Sequence, residues 1–460
     1  MGGEGALSPG EEFKLEFFIA YIVTQMHGNS IICPKLLGMN TSSLMTSAFA
    51  IALLSSLAIK YWLLSRQNKH VSIHRPSVPS AFASIVSLPD HQKAADYTLA
   101  KSKVALWDLT LETFLLLIWT LLGGLNALNQ MLLGLMGPGL WQEVSLVLAF
   151  IAIGALINLP LSWYQTFVIE SKFGFNNSTL KLWLSDMLKA ILLGALIGIP
   201  LLSVILWVMQ QGGAFWWIWA WGILVGFQLL MIWIAPNYLM PLFNKFTPLE
   251  DETLKERITQ LMDRSGFKAK GFFVMDGSKR SAHSNAFFTG IGSSKRVVFF
   301  DTLLKQLSAD EMEAVLAHEL GHFKHKHILK MMAINFATTL LGFAALGWIM
   351  QQTWFFTGLG VMPNLGLSDM PNNNALAILL FTMVVPLVSF LVSPISSARS
   401  RSQEFEADAY AMQQANATAL KSALLKLYQD NASTLTPDPW FVRFYYSHPP
   451  ASERLSRMGV

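Results

Sequence analysis

Charge is scarce in this chain. Asp, Glu, Lys and Arg make up 13% of its 460 residues, too little to cover the surface of a soluble protein that size. Cysteine is scarcer still: Cys33 stands alone, which excludes an internal disulfide and leaves the redox compartment open. No stretch interleaves basic with aromatic residues, so the net charge of +4 is not a nucleic-acid footprint, and no nucleic-acid partner is expected. A cleavable signal peptide is not expected either. Gly2 to Glu16 is polar, and the first apolar run of membrane length begins past residue 40. Internal repeats and low-complexity tracts are lacking.

Apolar residues fill the space that charge leaves. They form 53% of the chain, and mean hydropathy is +0.42. Runs long enough to cross a bilayer lie near 43–64, 106–129, 144–166, 184–209, 214–240, 330–351 and 374–394, about seven in all. The loop after the first run carries Arg66, Lys69, Arg75, Lys93, Lys101 and Lys103, and Lys172 and Lys181 separate the third and fourth runs. Segments 130–143, 210–213 and 352–373 hold no Lys or Arg. Alternate loops are therefore basic, which places the basic side, segment 241–329 and the C-terminal tail in the cytoplasm. Lys14 and Lys35 run against this pattern. The reading is a multi-pass integral membrane protein, mainly α.

Five parts follow: an extension over 1–40 with a short apolar patch at Phe17 to Val23, spans over 41–245, a polar piece over 246–329, spans over 330–398, and a second polar piece over 399–460. In the first polar piece, Lys255 to Met262 reads as helix and Phe272 to Met275 as strand. Asn285 to Phe288 and Val297 to Phe300 read as a hairpin around Gly290, Gly292 and Ser293-Ser294. That makes a small α+β domain.

Its chemistry sits in His318-Glu319-Leu320-Gly321-His322. Residues four apart share a helical face, so both imidazoles can address one metal ion, and Glu319 lies where a carboxylate takes a proton from metal-bound water. Ser308 and Glu311 form a capping box ahead of it, and Met312, Val315 and Leu316 continue an apolar stripe. The bland alternative, a buried helix with two incidental histidines, fits poorly in a chain with ten His. A zinc hydrolase needs a third ligand and an open position. The position ten residues after His318, where one protease class has its third His, is Ile328, which excludes that class. His325 and His327 are close in sequence but fit residues at the membrane interface better. Glu404 and Asp408 share a helical face after the last span, where one can ligate and the other accept a hydrogen bond from a ligating imidazole. Glu406 points elsewhere, to the surface.

An ordered series of motifs surrounds these residues: Phe173-Gly174-Phe175-Asn176, Pro241 to Leu249, Gly277 to Phe287, Arg296 to Leu304, the His318 helix, the Glu404 segment and Tyr446-Ser447-His448-Pro449-Pro450. From the first span onward the chain resembles the integral-membrane zinc endopeptidases of the CAAX prenyl protease type. The resemblance implies about seven helices enclosing a water-filled chamber, capped by a zinc domain on the cytoplasmic side. It implies one zinc ion (Zn2+) per chain held by His318, His322 and Glu404, with Glu319 as general base. His448 would stabilise the oxyanion, Asn285 would lie along the substrate, and Asp408 would orient a ligand, paired with Arg454. An exposed edge at Asn285-Ala286-Phe287 is expected to hold an extended peptide.

The expected partners are a peptide or protein substrate, lipidated or not, and the bilayer, for a monomer. The segment His91 to Thr98 and the Leu- and Ala-rich spans favour a bacterial inner membrane, with the endoplasmic reticulum as the eukaryotic alternative. Two other readings stand beside this one: a quality-control protease of misfolded membrane proteins of the heat-shock type, and an inactive chamber or transport protein. The intact Glu319 argues against the latter.

Overall fold

The computed structural model describes residues 40–267, 270–289, 296–364 and 373–459. The apolar patch at Phe17 to Val23, Cys33 and the turn at Gly290, Gly292 and Ser293-Ser294 lie outside the described residues. Thr41–His74 (α1) is followed by a bent pair, Leu88–Trp119 (α2) and Gly124–Met136 (α3), then by Leu140–Phe173 (α4), Leu180–Gln211 (α5) and Gly213–Phe243 (α6). Next come Phe246–Pro248 (β1), Glu252–Arg264 (α7), Phe272–Met275 (β2), Ala286–Thr289 (β3), Arg296–Phe300 (β4) and Ala309–Lys324 (α8). His327–Ile349 (α9) and Asn374–Gln414 (α10) are again long and apolar, and Ala417–Asp430 (α11) and Ala451–Arg457 (α12) close the chain.

Six helices among the described residues, α1, α4, α5, α6, α9 and α10, are long and apolar enough to span a bilayer, and α2 with α3 makes a seventh if the pair counts as one span. The run expected over 106–129 is not straight. It bends by 52°, because Gly123 takes a left-handed conformation (φ +78°) and Gly124 lies so near Ile118 that a Cβ would meet its carbonyl oxygen at 2.7 Å. Leu196 and Ile395, each 72% exposed, show the outer face of these helices dressed for lipid. α10 runs unbroken past 398–399, so the step expected there from membrane to protease part is a change of surroundings along one helix.

The two ends of the bundle differ. At one end, Glu143 accepts hydrogen bonds from the backbone N–H of Asn374 (2.8 Å) and Ala375 (3.2 Å) and from Gln210 (2.9 Å), capping α10. This is the end without Lys or Arg in its connections. At the other end the basic loops pack on the protease part: Arg66 pairs with Asp438, Gln429 donates to Asp90, and Arg280 pairs with Asp186 of α5.

The sheet order is β1-β2-β4-β3, with β2 and β4 parallel and both outer pairings antiparallel. β4 is central, and Val297, Val298 and Phe299 are all buried, as a strand covered on both faces requires. Met312, Leu316 and Leu320, four apart on α8, pack with Ile258 and Leu261 of α7 and Leu420 of α11.

The expected capping box is present, and it does more than start α8. Glu311 accepts from the Ser308 backbone N–H (2.7 Å), Ser422 Oγ (2.6 Å) and Lys426 Nζ (2.8 Å), tying α8 to α11. Burial alone would raise its pKa, but these donors outweigh burial and bring it from 4.5 down to about 2. A depressed carboxylate stabilises the fold above its unfolded value, and that contribution is lost as pH falls through the folded one. Glu311→Gln is therefore expected to lower the unfolding temperature at pH 7 and to make little difference near pH 2. Thermal melts in detergent across that window check it.

Candidate active site

α8 and α10 cross closely enough to bring their backbones together. A Cβ built on Gly321 would lie 2.8 Å from Ala407 Cα and 3.0 Å from its carbonyl oxygen. This approach sets Glu404, one turn before Ala407, over the face carrying His318 and His322. His318 Nε2 and His322 Nε2 are 3.3 Å apart, His318 Nε2 is 3.4 Å from Glu404 Oε2, and His322 Nε2 is 3.3 Å from Glu404 Oε1.

Such a triangle of lone pairs suits a cation. Glu404 is 4% exposed, and its Oε2 receives no hydrogen bond. Ligand atoms arranged tetrahedrally about 2.1 Å from a zinc ion stand about 3.4 Å from one another. The donor set and its spacing therefore fit a divalent metal. Burial works against charge on His318, yet the neighbouring carboxylates of Asp408 and Glu404 prevail and push the imidazole up to about 9, the same carboxylates that give this site its negative charge.

Asp408 sits behind the triangle. Its Oδ1 is 2.8 Å from His318 Nδ1, and Arg454 of α12 donates to the same carboxylate through Nε at 2.8 Å and through Nη2. All three are buried. The carboxylate fixes the His318 ring with Nε2 turned toward the triangle, and Arg454 compensates its charge.

In front of the triangle lies a cavity of about 400 Å³, lined by Glu319, Val315, Asn285, Ala286 and His448. His448 is mostly exposed, with Nε2 3.4 Å from Glu404 Oε1. Ser447 Oγ lies 3.0 Å from its Nδ1, and Tyr428 donates to the Pro449 carbonyl at 3.0 Å, fixing the turn that carries it. β3 is an outer strand of the sheet, and its start borders the cavity. A second cavity, of about 720 Å³, shares Tyr428, Asn431, Ser433 and His448 with the first and extends to Leu64, Val104 and Ile169 of the membrane helices.

The remaining motifs hold this cleft together. Phe175 stacks on His283 (centroids 4.2 Å apart), its carbonyl accepts from the Ala282 N–H at 3.1 Å, and His283 Nδ1 is 2.9 Å from Asn431 Oδ1. Gly174 makes that turn possible at φ +81°. Arg280 donates to the Phe243 carbonyl and to Asn244 Oδ1, anchoring the end of α6. The segment entering β3 is thus pinned from both the membrane bundle and α11.

Of the seven expected site residues, His318, Glu319, Glu404, Asn285 and His448 line this cleft, His322 completes the triangle beside it, and Asp408 stands behind His318. Two neighbours make contacts that sequence spacing does not announce: His327, at the start of the apolar helix α9, is buried beside His322, and Glu406, exposed at the surface as expected, also reaches His327 through its carboxylate.

A multi-pass helical membrane bundle joined to a site of two histidines, a neighbouring glutamate and a further carboxylate from a second helix, spaced as a metal would need, has the character of an integral-membrane metallopeptidase. Residues 67–245 match the family described as CAAX prenyl protease N-terminal, five membrane helices, and residues 248–459 match peptidase family M48. The chain is 36% identical to the CAAX prenyl protease 1 homolog of Oryza sativa, covering 85% of this chain and 92% of that protein. It is 36% identical to CAAX prenyl protease 1 of Saccharomyces cerevisiae (90% and 94%) and 32% identical to the CAAX prenyl protease 1 homolog of Homo sapiens (89% and 95%). The crystal structure of S. mikatae Ste24p superposes with a TM-score of 0.82 at 33% identity, over 91% of this chain and 99% of that one. The chain belongs to the CAAX prenyl protease family of M48 metalloendopeptidases.

Proposed function

We propose that the metal is zinc, one ion per chain, held by His318, His322 and Glu404, and that the substrate is a peptide carrying a prenylated cysteine near its C-terminus. The observation that carries the metal is the triangle of donor atoms spaced 3.3–3.4 Å apart with an orphaned carboxylate oxygen among them. When bound, zinc lowers the pKa of water and polarises a substrate carbonyl. Glu319 then takes the water's proton and returns it to the leaving amine. His448 donates toward the developing oxyanion from the rim of the cleft. Asp408 holds His318 in its ligating tautomer, with Arg454 behind it. The peptide lies extended along β3, with Asn285 at the point where strand meets cleft.

The lipidated substrate is supported by the relatives' names and by the 720 Å³ cavity that joins the cleft to apolar side chains of the membrane helices. The match of residues 67–245 to the CAAX-type helical domain favours this reading over the heat-shock quality-control one. The protease part sits at the end with the basic loops, which supports a cytoplasmic active site. The relatives named above are eukaryotic, so the endoplasmic reticulum is preferred to the bacterial inner membrane expected earlier. We take the enzyme to act as a monomer without nucleic acid.

A matched pair of peptides, prenylated and unprenylated at the same cysteine, tests this with purified protein in detergent and mass spectrometry of the products. The prenylated peptide is expected to lose three C-terminal residues. Chelation should stop cleavage and zinc should restore it. Equal rates on both peptides would remove lipid recognition, and cleavage indifferent to chelation would remove the metal.

A further inference from the structure

The strained turn after α8 carries an observation that the ligand set leaves unused. Lys326 is one of two non-glycine residues with positive φ (56°) among those described, and it folds the start of α9 back against α8. His327, the first residue of α9, is thereby buried with its Nδ1 3.0 Å from His322 Nδ1. Its Nε2 lies 3.0 Å from Glu406 Oε2.

We propose that His327 and Glu406 are positioning residues that fix the tautomer and ring angle of His322, as Asp408 does directly for His318. The proposal rests on the reading of His322 as a ligand. An imidazole that gives its Nε2 lone pair to a metal carries its hydrogen on Nδ1. Only an acceptor can then stand 3.0 Å away, so His327 Nδ1 is unprotonated and His327 Nε2–H donates to Glu406. The chain of hydrogen bonds has one consistent direction, from His322 through His327 to a carboxylate. α10 thus provides three acids two residues apart: Glu404 to the triangle, Glu406 behind His322 and Asp408 behind His318.

A second metal site is the rival, since His325, His327 and Glu406 also place donor atoms within 4.8 Å of one another. It conflicts with the first. A metal on His327 Nε2 would put the hydrogen on His327 Nδ1, facing the hydrogen on His322 Nδ1 across 3.0 Å.

Zinc affinity of the full-length protein, measured by competition with a chelator, tests the proposal independently of turnover. His327→Ala is expected to weaken zinc binding by about 10- to 100-fold, and Glu406→Ala to weaken it less. His327→Asn should recover most of the loss, because its Oδ1 can accept where Nδ1 did; bulk or stability alone would give no such recovery. His325→Ala should bind and cleave as the unmodified protein does. Unchanged affinity in both His327→Ala and Glu406→Ala overturns the relay, as does an Asn variant no better than Ala at equal thermal stability. Two zinc ions per chain, falling to one in His325→Ala, overturns it in favour of the second site. His322→Ala separates the two levels: if it too keeps full affinity, the ligand reading itself has failed.

Discussion

Glu319→Gln is expected to lower kcat by about 10²- to 10⁴-fold while zinc content and substrate binding stay as they were. The substitution keeps the shape and the hydrogen-bonding reach of the side chain and removes its ability to take a proton. Neither carboxylate that supports the triangle is touched, because Glu404 and Asp408 come from α10, whereas Glu319 comes from α8 and lines the cavity. Such a loss corresponds to about 3–5 kcal/mol of transition-state stabilisation. The comparison needs the two proteins at equal zinc occupancy, with initial rates on the prenylated peptide and the metal measured in the same samples. A variant that cuts as fast as the parent would show that the proton goes elsewhere, and the role given to Glu319 would be wrong.

How much of this site could be read from the sequence depended on whether the contacts are local. His318 and His322 lie one helical turn apart, so their spacing alone implies a shared face, and Ser308 with Glu311 announces where that face begins. Glu404 and Asp408 are legible the same way, by i, i+4 spacing, although they stand far later in the chain. The pairing of His327 with Glu406 has no such local sign. Glu406 is two residues from Glu404, which on an isolated helix turns it well away from the triangle, and His327 follows α8 rather than belonging to it. Their pairing depends on the left-handed Lys326, and a lysine gives no sign of a positive φ in the sequence. The bend between α2 and α3 was hidden for a different reason: hydropathy counts apolar residues and is blind to direction. Gly123-Gly124 was the available signal, within a run apolar enough to look continuous. The fold class itself was legible because lipid imposes it, since a chain with so little charge must satisfy its backbone in helices.

Gly321→Ala is the second large effect, and it acts through distance instead of chemistry. A single methyl group there would meet Ala407 Cα at 2.8 Å and its carbonyl at 3.0 Å, and both belong to backbone that has no rotamer to change. To restore ordinary contact, α8 and α10 must separate by about 1 Å, with the strain typical of an overpacked interior. Glu404 moves with α10, while His318 and His322 stay with α8. A metal site tolerates about 0.2 Å in its ligand distances, so a triangle with edges of 3.3–3.4 Å cannot absorb the shift. The expected result is a folded protein, destabilised by about 1–3 kcal/mol, that binds zinc at least tenfold more weakly and cleaves in proportion to its zinc content. Gly342→Ala is the control. That glycine lies in α9 with nothing within 4 Å of the added carbon, so the change should leave zinc affinity alone. If Gly321→Ala binds zinc as tightly as Gly342→Ala, the close helix crossing does not set the ligand geometry, and Glu404 must reach the histidines with more freedom than these distances allow.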